Sequence, residues 1–301
     1  MTHYRHSGMP EEEYFAMDAL NSSLLKLMGR SPAHCKAAMI KTLHRESDAL
    51  RMGRIIHAAV LEPERFAAEY CETPRAELTG ALHDLASYKV VAKDLGLKVG
   101  GSKADLKARI LEIEPETQFA DDVNQQITAG REPLKPEQWE MVTGIAEAIE
   151  ANPSARGSFS NGVAEETMVW IDEDTGIRCK SRMDYYHEQS GIVVDLKTCE
   201  DARPRAVQRD IMKYGYHKSA AHYLNGLKTA NLPGDNFAWV FVEKTPPYAI
   251  ALYFAAPDML EQGTSDMRRH LADYAECKNS GVWPAYSLDF QTVNLPEWAQ
   301  E

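Results

Sequence analysis

IRCKSRMDYYHEQSGIVVDLKT, residues 177–198, decides how the chain is read. Two strand-like runs flank a short polar turn. The second run, Ile192 to Leu196, is apolar and mostly β-branched and is entered from Gly191, the pattern of a strand buried on both faces. One carboxylate, Asp195, interrupts it. Side chains alternate along a strand, so Asp195 and Lys197 project to one side and Ile192, Val194 and Leu196 to the other. A tight turn centred on Gln189 and Ser190, with Gly191 relieving the backbone, then sets Asp184 on the first strand directly opposite Asp195.

In that register the two carboxylates have Cβ atoms roughly 5 Å apart, where like charges oppose folding unless they are neutralised. A cation is the simplest remedy. Oxygen ligands suit Mg²⁺ or Mn²⁺, which keep part of their water and accept phosphate oxygens. A lysine beside such an ion can stabilise developing negative charge or orient an attacking water. The bland alternative is a solvated hairpin carrying a local salt bridge, and this segment alone leaves both open.

Working outward, residues 163–172 have strand character, with Glu166, Met168 and Trp170 sharing one parity, and residues 172–176 form a turn. Glu166 is therefore expected one strand away from Asp184. Residues 204–227 read as a helix ending at Gly226 and bearing Tyr214, Tyr216, His217, His222 and Tyr223. Residues 237–243 and 249–255 read as strands about a Thr-Pro-Pro turn, 258–279 as a charged helix, and the tail as irregular. Upstream, Asn21, Ser22 or Ser23 caps a helix closed by Gly29, and Pro32 opens the next. Residues 51–66 read as a buried helix stopped by Pro63, in which His57 is the only strongly polar side chain between Ile55 and Leu61. It either fills the core, bonded to backbone, or points into a site. Gly53, one turn earlier, leaves room for another backbone to approach. Helices, then a hairpin, a helix and two more strands predict an α/β or α+β arrangement with a mixed central sheet flanked by helices.

A chain of 301 residues can bury a sizeable core, and its formal charge of −12 argues mildly against an extended nucleic-acid footprint. No apolar run suits a membrane span and no signal-peptide pattern opens the sequence, so a cytoplasmic location is expected. The five cysteines form no CxxC pair, which speaks against a local zinc site, a disulfide framework or a four-cysteine iron–sulfur nuclease. Residues 82–111 are a basic island in an acidic chain: a helix closed by Gly96, a Gly100-Gly101 turn, and a second helix opened by Ser102 with Asp105 at capping-box spacing. This unit resembles a SAP motif, a helix-extended-helix DNA-binding element. The resemblance implies non-specific duplex contact, through Lys98, Lys103, Lys107 and Arg109. Residues 112–136 read as a linker and 137–151 as an amphipathic helix. The expected organisation is a main domain over 1–78 and 114–301, interrupted by the insert at 79–113.

Gly53 with His57, Asp184, and Asp195-Leu196-Lys197 together match the spacing of the PD-(D/E)XK nuclease superfamily in its RecB-like branch. More closely, the chain resembles the RecE-type (exonuclease VIII-like) exodeoxyribonucleases, through SPAHCK at 31–36, GRIIHAAVLEPERF at 53–66, EKTPPYAIALY at 243–253 and SGVWPAY at 280–286. That resemblance implies a divalent metal, Mg²⁺ with Mn²⁺ able to substitute, held by His57, Asp184, Asp195 and the Leu196 carbonyl. Lys197 would assist the attacking water, with Glu166 nearby and Tyr223 on a DNA-positioning helix. One departure stands out: Ser219 occupies the position where RecB-like nucleases usually carry Gln. The resemblance further implies digestion of duplex DNA from ends in phage-type recombination, a ring-like homo-oligomer, and a single-strand annealing protein as partner. A structure-specific endonuclease and a non-catalytic DNA-binding recombination accessory protein are the alternatives.

Overall fold

In the computed structural model the described residues are 3–40, 47–73, 80–287 and 289–296. The chain opens with β1 (His3–His6), α1 (Glu11–Ala16), α2 (Ser22–Met28), α3 (Pro32–Ile40) and α4 (Asp48–Leu61). There follow α5 (Pro63–Glu69), β2 (Tyr70–Glu72), α6 (Leu85–Asp94), α7 (Lys103–Ile113), α8 (Ala120–Thr128), β3 (Glu132–Leu134), α9 (Pro136–Ala151) and α10 (Pro153–Ser158). The rest is β4 (Val163–Ile171), β5 (Arg178–His187), β6 (Ile192–Cys199), α11 (Pro204–Tyr214), α12 (Tyr216–Thr229), β7 (Asn236–Glu243), β8 (Ile250–Phe254) and α13 (Pro257–Ser280). Two units divide these elements, one made of 1–57 with 147–301 and the other of 58–146.

The larger unit holds a six-stranded sheet in the order β1-β4-β5-β6-β7-β8. All neighbours are antiparallel except β6 and β7, which run parallel through the crossover formed by α11 and α12. This is the mixed sheet flanked by helices that the order of elements predicts. Its core gathers Trp170, Tyr186, Phe237, Trp239 and Phe241 from the sheet with Ala220 and Leu227 of α12 and Met267 and Leu271 of α13. Gly226 lets α12 lie on the sheet, because a Cβ there would meet the Trp170 ring at 2.7 Å.

Several expectations are corrected. The helix over 204–227 is two helices, because Gly215 adopts φ +65° and ends α11. Pro63 stops α4 but also opens α5 at its first turn, where its missing N–H costs nothing. The stretch read as a linker contains α8 and β3, and β3 pairs in parallel with β2. Gly53 accommodates no close neighbour, since a Cβ there would meet nothing within 4 Å. The strand β1 was not anticipated; HYRH is short and polar, as an edge strand permits.

In the smaller unit, α6 and α7 each start with a capping box, Asp84 with Ser87 and Ser102 with Asp105. Tyr88, Ala92, Leu106, Ile110 and Phe119 form their small core. Among the described residues, no helix is long and apolar enough to cross a membrane.

Candidate metal centre

The centre forms where β5 and β6 part. Their ladder runs His187↔Ile192, Tyr186↔Val193 and Tyr185↔Val194, and the same register carries Asp184 opposite Asp195. The ladder stops there, and the Leu196 N–H donates instead to Asp184 Oδ2 at 2.8 Å. A side chain thus replaces a backbone partner and satisfies the buried Leu196 donor. Met183 and Tyr186, three residues apart, both join the core, so strict alternation breaks between them, at Asp184 and Tyr185. Across on β4, Glu165 lies between the pairs Ala164↔Tyr185 and Glu166↔Met183 and adopts φ +51°. A non-glycine residue in the left-handed region within a strand is strained, as is common where a side chain must be re-aimed into a site.

His57 of α4 closes the group. Its Nε2 lies 3.1 Å from the Leu196 carbonyl oxygen. Its Nδ1 lies 3.7 Å from Asp184 Oδ1 and 3.9 Å from Glu165 Oε1. Arg182 fixes the other oxygen of Glu165 at 2.7 Å. Lys197 reaches Asp195 Oδ2 at 2.5 Å and Asp184 Oδ2 at 3.8 Å, and donates to the Leu196 carbonyl at 3.1 Å. The positive countercharge that the two facing aspartates require is therefore an ammonium.

The electrostatics follow from burial and these neighbours. Burial pushes the Asp195 carboxyl up to about 6, with Asp184 adding to the rise and Lys197 opposing it. Burial disfavours the charged His57 ring, yet Asp184 and Glu165 overcome it and lift the imidazole to about 8. Burial likewise disfavours charge on Lys197, but Asp195 and Asp184 hold the ammonium above its ordinary value.

His57, Glu165 and Asp184 each offer one ligand atom, all within 4.8 Å of one another. Divalent ions bond such atoms at roughly 2.0–2.6 Å, so one ion between them fits. The histidine is oriented for it: with Nε2–H donating to Leu196, Nδ1 faces the carboxylates and, on losing its proton, would present its lone pair to an ion, the arrangement metal-binding imidazoles use. The two carboxylates suit Mg²⁺ or Mn²⁺, while the imidazole is an unusual ligand for Mg²⁺ and favours the transition-metal ion Mn²⁺.

Of the residues singled out from the sequence, the structure brings together His57, Asp184, Asp195, Leu196 and Lys197. Asp195 is held by Lys197 rather than placed in the three-residue ligand group, and the Leu196 carbonyl accepts from both His57 and Lys197. Glu166 is elsewhere: fully buried, its carboxylate is taken by Arg5 and Ser7. Glu165 takes the place expected for it. The hairpin turn carries the signal, since the register Ile171↔Arg178, extended along both strands, sets residue 165 opposite Asp184. Tyr223 packs half-buried against Phe237. In the other unit, Lys103 pairs with Asp121 at 2.8 Å, Lys107 pairs with Asp122, and Arg109 donates to the Lys98 and Gly100 carbonyls. Sequence reasoning also missed Lys26, whose ammonium donates to Ser219 at 3.1 Å and which burial and the Lys197 charge lower to about 8.

A mixed sheet flanked by helices, with acidic residues and a lysine meeting where two strands part, defines a domain of the PDDEXK nuclease-like class. The chain belongs to the family described as PDDEXK-like domain of unknown function (DUF3799), which it matches over residues 21–295. It is similar in fold to a Eubacterium rectale protein provisionally named as an exonuclease, at 13% identity and TM-score 0.57, over 97% of this chain and 96% of that one. A phage-related exonuclease of Haemophilus somnus 129PT aligns at 14% identity over 68% of this chain and 98% of that one, with a TM-score of 0.31. No curated protein matches the sequence.

Proposed function

We propose that this protein is a metal-dependent exodeoxyribonuclease of the RecE type, hydrolysing phosphodiester bonds of duplex DNA from its ends. One observation carries the reading: in a PDDEXK-like domain, Asp184, Asp195 and Lys197 meet at a parted pair of strands, with His57 and Glu165 completing a ligand group. A divalent ion held by His57, Glu165 and Asp184 would supply a Lewis acid and a water of lowered pKa. The chain's own residues do the rest. Lys197, its side chain 21% exposed, presents an ammonium to the negative charge developing on the attacked phosphoryl group. Asp195 aims that ammonium, Arg182 holds Glu165, and the Leu196 carbonyl fixes the plane of His57.

The SAP-like insert is read as an added grip on duplex through Lys98, Lys103, Lys107 and Arg109, once the pairing of Lys103 and Lys107 with aspartates yields to phosphate. A part in phage-type recombination, a ring-like oligomer and an annealing partner rest on the resemblance of the sequence motifs. Incubating linear and covalently closed circular duplex with Mg²⁺ or EDTA tests the reading. Metal-dependent loss of the linear form alone supports it; cutting of circles identifies an endonuclease, and binding without cutting an accessory protein. Asp195→Ala should abolish cleavage while leaving the thermal transition cooperative; full activity in that variant refutes the site.

A further inference from the structure

The centre explains bond breaking but not how a polyanion is guided to it by a chain of net charge −12. Helix α11 offers a means. It buries Ala206, Val207 and Ile211 and exposes Arg205, Gln208, Arg209, Met212, Lys213 and Tyr214. Arg205, Arg209 and Lys213 follow one another at four-residue spacing, about 6 Å of helix rise per step. Its one acid is Asp210. Arg203, just before the helix, is occupied by Asp201 at 2.7 Å, and the Arg209 charge also bears on Asp201. Among the described residues, no ion pair engages Arg205, Arg209 or Lys213, whereas Lys103 and Lys107 of the SAP-like insert are both paired.

The ridge also leads somewhere. The Lys213 ammonium lies 4.9 Å from the Tyr214 ring centroid, the Tyr214 and Tyr216 rings are 5.6 Å apart, and Tyr216 lies 5.4 Å from the Lys197 ammonium. A continuous line of cationic and aromatic side chains thus runs from the exposed face of α11 to the lysine of the centre. Such interleaving suits a phosphate backbone, with cations for the phosphates and an exposed ring for a base or sugar face.

We propose that the Arg205–Arg209–Lys213 ridge of α11 is the track on which the phosphate backbone of duplex DNA approaches the centre; this rests on the nuclease reading. The test compares the parent with the Arg205→Gln, Arg209→Gln, Lys213→Gln triple variant on a linear duplex in Mg²⁺, across a salt series. If all three cations contact phosphate, the slope of log kcat/KM against log salt falls in magnitude by about 2.7, from about 0.9 per contact. KM should rise with kcat nearly unchanged, and cleavage of a small chromogenic phosphodiester should stay within about twofold of the parent. Arg205→Lys with Arg209→Lys, which keeps the charges, should restore the slope to within about one contact. A parent that cuts duplex alongside a triple variant of unchanged slope overturns the track and leaves the nuclease reading standing. A parent that cuts no DNA overturns that reading, and the track with it.

Discussion

Replacing Lys197 by methionine, which keeps most of the side-chain bulk and removes the charge, isolates what the ammonium does in the protein held in EDTA. The side chains of Asp195 and Asp184 are 4% and 11% exposed, so the pair it balances is shielded from water. Removing one partner of a buried ion pair costs about 3–5 kcal/mol when the other stays charged. Asp195 has an escape, because its carboxyl already lies near 6 and loses in Lys197 the main influence holding it down. A carboxyl whose folded pKa exceeds its unfolded value, about 3.9, binds more protons in the folded state, so stability falls as pH rises between the two values and levels off above the higher. The variant should therefore show much of its penalty at pH 8 and little at pH 5. At about 2 °C per kcal/mol for a chain of this size, Tm should drop by about 6 °C or more at pH 8 and by only about 2 °C at pH 5. Calorimetry or circular dichroism in EDTA at the two pH values reads this directly. Mn²⁺ at a hundredfold excess over Kd, worth about 2.7 kcal/mol, should raise Tm more in the variant than in the parent, where the ion contends with the ammonium. An equal Tm deficit at both pH values would refute the claim that Lys197 neutralises Asp195.

Glu165 and Glu166 separate site from scaffold: Glu165→Gln should weaken Mn²⁺ binding, measured by calorimetry, by about tenfold or more, while Glu166→Gln, which breaks the contacts with Arg5 and Ser7, should lower Tm and leave metal affinity within about twofold. His222 is buried with Nε2 3.0 Å from the Lys180 carbonyl, and burial lowers its ring to about 4. Between that value and its unfolded pKa near 6.5 the unfolded chain binds more protons, so stability should drop as pH falls through this window, by about 3 kcal/mol in all, and urea titrations of His222→Gln should show a flatter acid limb. Excising residues 79–113 should weaken duplex binding and reduce its salt dependence without changing hydrolysis of a small phosphodiester; an unchanged salt slope removes the insert from the DNA interface.

How far the sequence reaches is clearest at the hairpin. Gly191, the β-branched run and the polar turn fix the β5–β6 register, and with it the facing aspartates, because alternation and turn length are local properties of the chain. What alternation does not carry is its own interruption. The hairpin register sets Glu165 opposite Asp184, but the left-handed backbone at Glu165 and the break between Met183 and Tyr186, which accompany its turn toward His57, answer to tertiary demands. The same limit explains Lys26, whose approach to Ser219 depends on how α2 meets α12, a contact between segments nearly two hundred residues apart and outside the reach of any local pattern. Gly215 was legible in principle as a helix stop, but the apolar and aromatic pattern continues through it and masks the break.

The charges at the centre explain why so many ionisable groups tolerate one buried place. Asp184, Asp195 and Glu165 face Lys197, Arg182 and a His57 ring lifted to about 8, so acidic and basic groups there are equal in number. Lys26, whose ammonium bears on both Lys197 and Asp195, adds a further basic group at the margin. A divalent ion at the ligand group would need the His57 lone pair and so would displace its proton. That exchange would raise the charge of the cluster by one, two from the ion less one from the proton, and so would favour the single negative charge of a phosphodiester. Pairing within the cluster avoids the large cost of unpaired buried charge, and the same cluster loaded with an ion would attract the group it is proposed to cut. On this account Lys197 has two tasks in one position: it holds the aspartates together, and it would face the phosphate once an ion took over part of that work.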